Sequence, residues 1–259
     1  MPDTNPVREL LEFAVESARD AGKIPLEYFQ TELNVSTKPD QSPVTIADKR
    51  TEERLRELIS ARFPDHGIVG EEFGAHNTGS SYRWIIDPID GTLSFIRGVG
   101  LFGLLLGLEL DGEMVVGVAN LPAINELVYA ARGLGCFWDG RQARVSQVSG
   151  LSDATLLVTD VRSCFVSGRG EAYGRLSEAT KLQRTWGDCY GHILVATGRA
   201  EIMLDPIMNP WDCAALLPIL QEAGGTFTDW EGNVTIDGGN AISTNRLLFG
   251  EVMRVVRGA

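Results

Sequence analysis

The chain has 259 residues, 44% of them hydrophobic, enough to bury the core of one large domain or two closely joined ones. Its formal net charge of −12 repels nucleic acid and anionic membranes, so neither is an expected partner. No apolar run is long enough to span a bilayer, and the opening MPDTNPVREL lacks the basic-then-apolar order of a signal peptide, so a cytoplasmic location is expected.

Val7, Leu10, Leu11, Ala14, Val15 and Ala18 recur at helical spacing and predict a helix over 7–28. The polar STKPDQSPVT follows, with two prolines. Thr45 then has the character of an N-cap, with Asp48 three residues on as its capping-box partner, for a helix running to about 62. FPDHG stops that helix, and residues 67–70 form a short strand ending in two acids, Glu71 and Glu72. The small, polar segment 75–82 reads as a loop near the site. Next comes WIIDPIDGTLSF, an apolar run that ends in Asp87, Asp90 and a Gly-Thr pair. Residues 101–110 and 113–120 are apolar runs joined by Asp111-Gly112, a hairpin signal. Strands continue at 126–131 and 135–138, and Asp139-Gly140 is another turn. The first half is therefore expected to pack helices on a mostly antiparallel sheet.

The second half alternates: strand 155–159, helix 171–181, helix 189–197, strand 201–204, helix 210–223, strand 226–228 and a closing helix from about 245. That pattern suggests layered α/β structure. A boundary near Ser149-Gly150 divides the chain into 1–149, which carries most of the acidic motifs, and 150–259, within one compact unit.

Cys136, Cys164, Cys189 and Cys213 form no CxxC pair and are expected to be reduced, buried thiols. The scattered His66, His76 and His192 do not suggest a zinc site. Acids are plentiful, and oxygen ligands point to magnesium. Asp87 and Asp90 stand out because they end a strand too apolar to face solvent. Like-charged carboxylates buried at close range are costly unless a cation joins them. Alone, the other acids have plainer readings: Glu71-Glu72 as surface charge, Asp212 as a dipole partner at a helix start, Thr92 as an N-cap.

Haloacid dehalogenase phosphatases also carry an Asp-Gly-Thr motif, but their first Asp lies two residues before the second; Asp87-Pro88-Ile89-Asp90 is one residue longer. KPDQSPVTIAD, GEEFG, WIIDPIDGT and PWDCAALLPILQEAGG, in that order, instead resemble the inositol monophosphatase family of magnesium-dependent, lithium-sensitive phosphatases. The resemblance covers about residues 7–256. It implies an α/β fold, a layered αβαβα sandwich of the inositol monophosphatase/fructose-bisphosphatase type, and a homodimer. It also implies two to three Mg2+ ions and a small phosphorylated metabolite as partner. On the matching positions, Glu71 and Asp87 hold the first ion with the Ile89 carbonyl and the Thr92 hydroxyl. Asp87, Asp90 and Asp212 hold the second, and a third, weaker ion lies near Glu71. Glu72 and Asp48 are supporting acids. Glu71 and Thr92 orient the attacking water, and the amides of Gly91 and Thr92, at a helix N-terminus, take phosphate oxygens. Ser94 departs from the family's usual Asn in DGTxNF.

Within that family, GDCY and KPDQSPVT…GEEFG resemble the histidinol-phosphate phosphatase branch. Asp188 stands where inositol phosphatases commonly have a small residue, and Asp205 where they commonly have glutamate. An acid at 188 suits a substrate that carries an ammonium, through a charge-assisted hydrogen bond; its plainer reading is a cap for the helix at 189. L-Histidinol phosphate is therefore the expected substrate, with inositol 1-phosphate or another sugar or nucleotide monoester as the alternative. A phosphatase-like binding protein without catalysis is the non-enzyme alternative.

Overall fold

The computed structural model describes residues 6–32, 35–37 and 43–258. Residues 38–42, the KPDQS of the first motif, lie outside the described residues. Helices α1 (Pro6–Ala21) and α2 (Lys23–Tyr28) lead to a two-stranded ribbon of β1 (Ser36–Thr37) and β2 (Pro43–Val44) and then to α3 (Ile46–Arg62). The next elements are β3 (Gly67–Gly70), β4 (Gly74–His76), β5 (Tyr82–Asp90), α4 (Thr92–Ile96), β6 (Gly103–Leu110), β7 (Glu113–Leu121), β8 (Glu126–Ala131), β9 (Gly135–Trp138) and β10 (Arg141–Ala143). After them come β11 (Thr155–Val158), α5 (Val161–Val166), α6 (Gly170–Ala179), β12 (Leu182–Arg184), α7 (Asp188–Ala196) and β13 (Ile202–Asp205). The chain ends with α8 (Pro210–Ala214), α9 (Leu216–Glu222), β14 (Thr226–Thr228), β15 (Ala241–Thr244) and α10 (Phe249–Arg257).

Two Asp-Gly turns shape the first sheet. Asp111-Gly112 (φ 52° and 87°) and Asp139-Gly140 (φ 47° and 79°) put two successive residues in the left-handed region, the twist that a two-residue hairpin needs. The resulting eight-stranded sheet has the order β10-β9-β8-β7-β6-β5-β3-β4. Every pairing in it is antiparallel except β3 with β5. The second sheet has the order β12-β11-β13-β15-β14; β11 runs parallel to β12 and β13, and β15 is antiparallel to its neighbours.

Alternation along each strand sorts side chains into layers. Leu104, Leu106 and Leu108 of β6 join Leu10 and Ala14 of α1 and Leu55 and Ile59 of α3 in one buried cluster. Leu105 points the other way, into a cluster with Leu157, Met203, Ile193 and Ile219 that lies between the sheets. Leu156, Ile202 and Leu204 face outward from the second sheet onto Leu176 of α6 and Val252 of α10. The sequence of layers is α1/α3, first sheet, α7/α8/α9, second sheet, α6/α10: an αβαβα sandwich. The central strands β5, β6, β7, β11 and β13 are covered on both faces, which is why they are largely apolar. The middle cluster draws on residues from both sides of Ser149-Gly150. All four cysteines are free and buried, and no described helix is long and apolar enough to cross a membrane.

Several elements differ from the sequence expectation. The helix expected over 7–28 is divided at Gly22. Pro25 has no N–H for the Ala21 carbonyl, and the Asn120 side chain, which occupies the space of a Gly22 Cβ, donates to the Ala18 carbonyl at 2.8 Å. The helix expected over 210–223 is divided at Ala215, because Pro218 has no N–H for Ala214. The closing helix starts at Phe249, not 245, and β15 precedes it; so short and wholly buried a strand has no alternation to betray it. Residues 75–82 are only partly loop. β4 pairs back along β3, with His76 opposite Ile68, so the turn that follows lies at the end of the sheet away from Glu71.

A cross-strand glycine pair, Gly107 opposite Gly117, lies under the junction of α8 and α9. A Cβ on Gly117 would meet the Ala215 carbonyl oxygen at 2.1 Å, and one on Gly107 would meet Ala214 at 2.9 Å. The pair therefore sets how closely α8, and Asp212 on it, approach the sheet. Gly117→Ala is expected to destabilise the fold by about 1–3 kcal/mol, the usual cost of overpacking a core, read as a lower midpoint in urea at unchanged slope.

His192 of α7 is wholly buried, with Nδ1 2.6 Å from the Ser243 hydroxyl, and burial pushes its pKa from 6.5 down to about 3. The folded chain keeps this ring neutral while the unfolded chain protonates it. Its contribution is thus intact above pH 6.5 and is lost as pH falls toward 3. Between pH 7 and pH 5 this amounts to about 2 kcal/mol. Denaturant titrations at the two pH values should show His192→Gln losing less stability on acidification than the parent by about that amount.

Candidate active site

The site begins at the end of β5. Residues three apart belong on opposite faces of a regular strand, so Asp87 and Asp90 ought to diverge. The ladder slips between them: Asp87 faces Leu105 and Asp90 faces Gly103, three steps on β5 against two on β6. The extra residue is a β-bulge, which re-aims the strand, and Pro88, with no N–H to give, suits the slip. Both carboxylates then reach the same place. Together with Asp212 they offer oxygens that all lie within 4.8 Å of one another.

Glu71 arrives by a different route. β3 and β5 are parallel, with Gly70 beside Ile86, so both strands deliver their acids to the same edge. The Glu71 amide donates to the Ile86 carbonyl at 3.2 Å, fixing the turn to β5. Beneath it lies Glu52, a wholly buried carboxylate of α3. Its oxygens accept the amides of Glu72 (2.7 Å) and Phe73 (3.2 Å) and the Arg56 Nε (2.7 Å). Gly70 has no side chain because Glu52 fills that space; a Cβ there would stand 2.0 Å from its carboxylate. Glu52 belongs to none of the sequence motifs. Its signal is position: 48, 52, 55 and 59 form the buried stripe of α3, and an acid on such a stripe needs a partner.

Asp48 is equally buried. Its Oδ2 accepts the Thr45 amide (2.8 Å) and hydroxyl (2.6 Å), so the expected capping box forms. Asp48 thus ties the start of α3 while facing Glu71, whose charge adds to burial in raising its pKa. Asp212, at the third position of α8, accepts the Asn209 amide at 2.7 Å. It is both the helix-start partner of the plainer reading and a member of the carboxylate trio.

At the turn itself, Gly91 has φ 81° and the Thr92 hydroxyl donates to the Ile89 carbonyl at 2.9 Å. The helix it opens, α4, is only five residues long, so its dipole is small. Leu101 and Asp188 close over Gly91: a Cβ there would meet the Leu101 carbonyl oxygen and the Asp188 Oδ2, each at 3.1 Å. Asp188 begins α7, and the next amide, of Cys189, donates to the Asp90 carboxylate. Asp205, at the end of β13, is buried and accepts the Thr159 hydroxyl at 2.7 Å. Thr159, a second residue missed in sequence, is marked only by its place just after a strand end, as Asp205 and Asp87 are marked by theirs.

Asp48, Asp87, Asp90, Asp188, Asp205 and Asp212 are all held above the usual carboxylate range. For Asp87 the causes are burial first and then the charges of Glu71, Asp90 and Asp212. For Asp90 they are burial and the charges of Asp188 and Asp212. Burial likewise raises Asp188 and Asp212, and it pushes Asp205 up to about 8. The charges that accompany burial in raising them are carboxylates. Such a group fits a divalent cation: hard oxygen donors, converging, with excess negative charge.

The model of the Inositol monophosphatase family matches residues 7–257. A Histidinol-phosphatase of Chlorobaculum parvum is 47% identical over 240 residues, covering 92% of this chain and 93% of that one. A Histidinol-phosphatase of Mycobacterium tuberculosis is 38% identical over 227 residues, covering 86% and 87%. The crystal structure of an IMPase from Thermotoga maritima superimposes with a TM-score of 0.87 at 31% identity, over 96% of this chain and 97% of that one. With the motifs in order along the whole match and the acids gathered at one sheet edge, the chain belongs to the inositol monophosphatase family and is a phosphoric monoester hydrolase.

Proposed function

We propose that this phosphatase converts L-histidinol phosphate to L-histidinol with the help of bound Mg2+. The observation that carries the substrate choice is Asp188, a carboxylate lying against the Gly91-Thr92 turn beside Asp90. A further anion there opposes a phosphate ester unless the leaving group brings a cation. Histidinol phosphate brings an ammonium, which pairs with a carboxylate through a charge-assisted hydrogen bond; a neutral polyol does not. The names of the relatives from Chlorobaculum parvum and Mycobacterium tuberculosis support the same choice.

Oxygen-only donors suit magnesium. We assign Glu71, Asp87, the Ile89 carbonyl and the Thr92 hydroxyl to one ion, and Asp87, Asp90 and Asp212 to a second, with a third beside Glu71. Ions held there would supply positive charge to the phosphoryl oxygens and acidify the attacking water. The chain's own residues do the positioning. Thr92 has committed its proton to the Ile89 carbonyl, so its oxygen faces water as an acceptor. Glu71, held by the turn on Glu52, is the second acceptor, and together they aim the water in line with the leaving oxygen. The Gly91 and Thr92 amides hold phosphate oxygens, while Asp188, with Asp205 behind it, lines the leaving-group side. Asp48 and Glu72 support Glu71. Lithium inhibition, a homodimer and a cytoplasmic location complete the reading.

Chelation should abolish phosphate release, and Mg2+ should restore it. Asp90→Asn is expected to lower turnover by more than about a hundredfold, beyond what loss of a supporting residue typically costs. The variant should keep its circular-dichroism spectrum but lose the rise in melting temperature that Mg2+ gives the parent; near-normal activity would refute the assignment. The substrate choice is tested by kcat/KM for histidinol phosphate against inositol 1-phosphate. Histidinol phosphate should be favoured, and the opposite order would sink the choice.

A further inference from the structure

Asp188 opens α7 in a backbone conformation that few residues with a side chain adopt. Its φ is 50°, in the left-handed region, which aspartate adopts more readily than most residues, and its contacts fix it there. Three observations name what holds it. The Asp188 amide donates to the Thr159 hydroxyl oxygen at 2.8 Å. Gly187 lies directly on Thr159: a Cβ there would meet the Thr159 Cα at 2.2 Å. The Thr159 hydroxyl donates in turn to Asp205 Oδ2 at 2.7 Å. A hydroxyl has one proton. With that proton given to Asp205, only lone pairs remain to face the Asp188 amide, so Asp205 fixes the direction of the whole relay.

We propose that Thr159 is the positioning residue for substrate preference: it holds Asp188 against the Gly91 turn, and Asp205 acts through it. This rests on the reading of Asp188 as the partner of the substrate's ammonium. Thr159 itself is outside the trio of Asp87, Asp90 and Asp212. Asp205, expected from the sequence to line the substrate pocket, then acts through Thr159. The oxygen bonded to Thr159 orders the relay, and selectivity comes from Asp188.

The test measures kcat and KM for histidinol phosphate and for glycerol 2-phosphate, a monoester without a cation, in saturating Mg2+. Thr159→Val keeps the shape and removes the hydroxyl. It should raise KM for histidinol phosphate about tenfold, the order expected when a hydrogen bond is lost and its partner displaced, with little change in kcat. KM for glycerol 2-phosphate should not rise, and Thr159→Ser should restore the parent preference. Thr159→Ala, monitored by its melting temperature, gives the same reading if the valine variant folds poorly. Asp188→Asn is the control. If it raises KM only for histidinol phosphate while neither Thr159→Val nor Thr159→Ala does, the relay is refuted and the reading of Asp188 stands. A loss shared equally by both esters in the Thr159 variants also refutes the relay. Should Asp188→Asn spare the preference, both fall together.

Discussion

Three carboxylates held within 4.8 Å of one another are the constraint around which this fold is arranged. At that distance two like charges repel by roughly 3–4 kcal/mol at an effective dielectric of about 20. Left to relax, a chain would splay them apart. Here each is fixed by something that cannot move without disturbing the core. Asp87 and Asp90 are fixed by a bulge in a strand buried on both faces, and Asp212 by the first turn of a helix seated on a pair of glycines. Burial, and after it the charge of neighbouring carboxylates, holds all three above the usual carboxylate range. A divalent cation bound among them would offset the repulsion, which would couple metal affinity to the stiffness of the sandwich.

The surrounding shell has the same logic. α3 contributes two buried acids, Asp48 and Glu52, one turn apart. Neither is left bare. Asp48 closes the capping box of its own helix, and Glu52 accepts two amides of the turn after Glu71 and the Arg56 Nε. Buried charge is tolerated where hydrogen bonds saturate it. Arg56 and Asp48 belong to the same helix, so the turn carrying Glu71 is fastened to a single rigid element. On the other side, the Cys189 amide at the start of α7 fastens Asp90 to the second half of the chain. The two sheets meet the site from opposite sides, and the site is incomplete without either.

Much of this was legible in the sequence. The strand that ends in Asp87 and Asp90, the capping box at Thr45 and Asp48, and the two Asp-Gly hairpins are local features, set by residues within a few positions of one another. What stayed hidden depends on partners far apart in sequence. The bulge is a relation between β5 and β6; nothing within WIIDPIDGT shows that the ladder slips, although Pro88 permits it. The breaks at Gly22 and Ala215 combine a local proline with a distant contact, and only the proline can be read. β15 is four buried residues with no alternation. Glu52 and Thr159 look ordinary because their meaning lies in what they touch. Glu52 alone left a trace, as an acid on an apolar stripe.

The net charge of −12 raises a last question: how does so acidic a chain accept a phosphate dianion? Cations at Asp87, Asp90 and Asp212 would reverse the local sign of the field, since a bound ion often outweighs every other charge nearby. Asp188 works against that reversal. A negative charge beside the phosphate turn weakens binding of every phosphate ester, and a substrate that brings its own cation recovers the loss. Discrimination of this kind needs no added contact for the favoured ester, because it penalises the others. It also needs the charge to stay in one place. A mobile aspartate would swing toward the metals and serve as one more ligand. The relay from Asp205 through Thr159 to the Asp188 amide, with Gly187 pressed on Thr159, keeps this carboxylate on the leaving-group side, which is where a selective charge has to be.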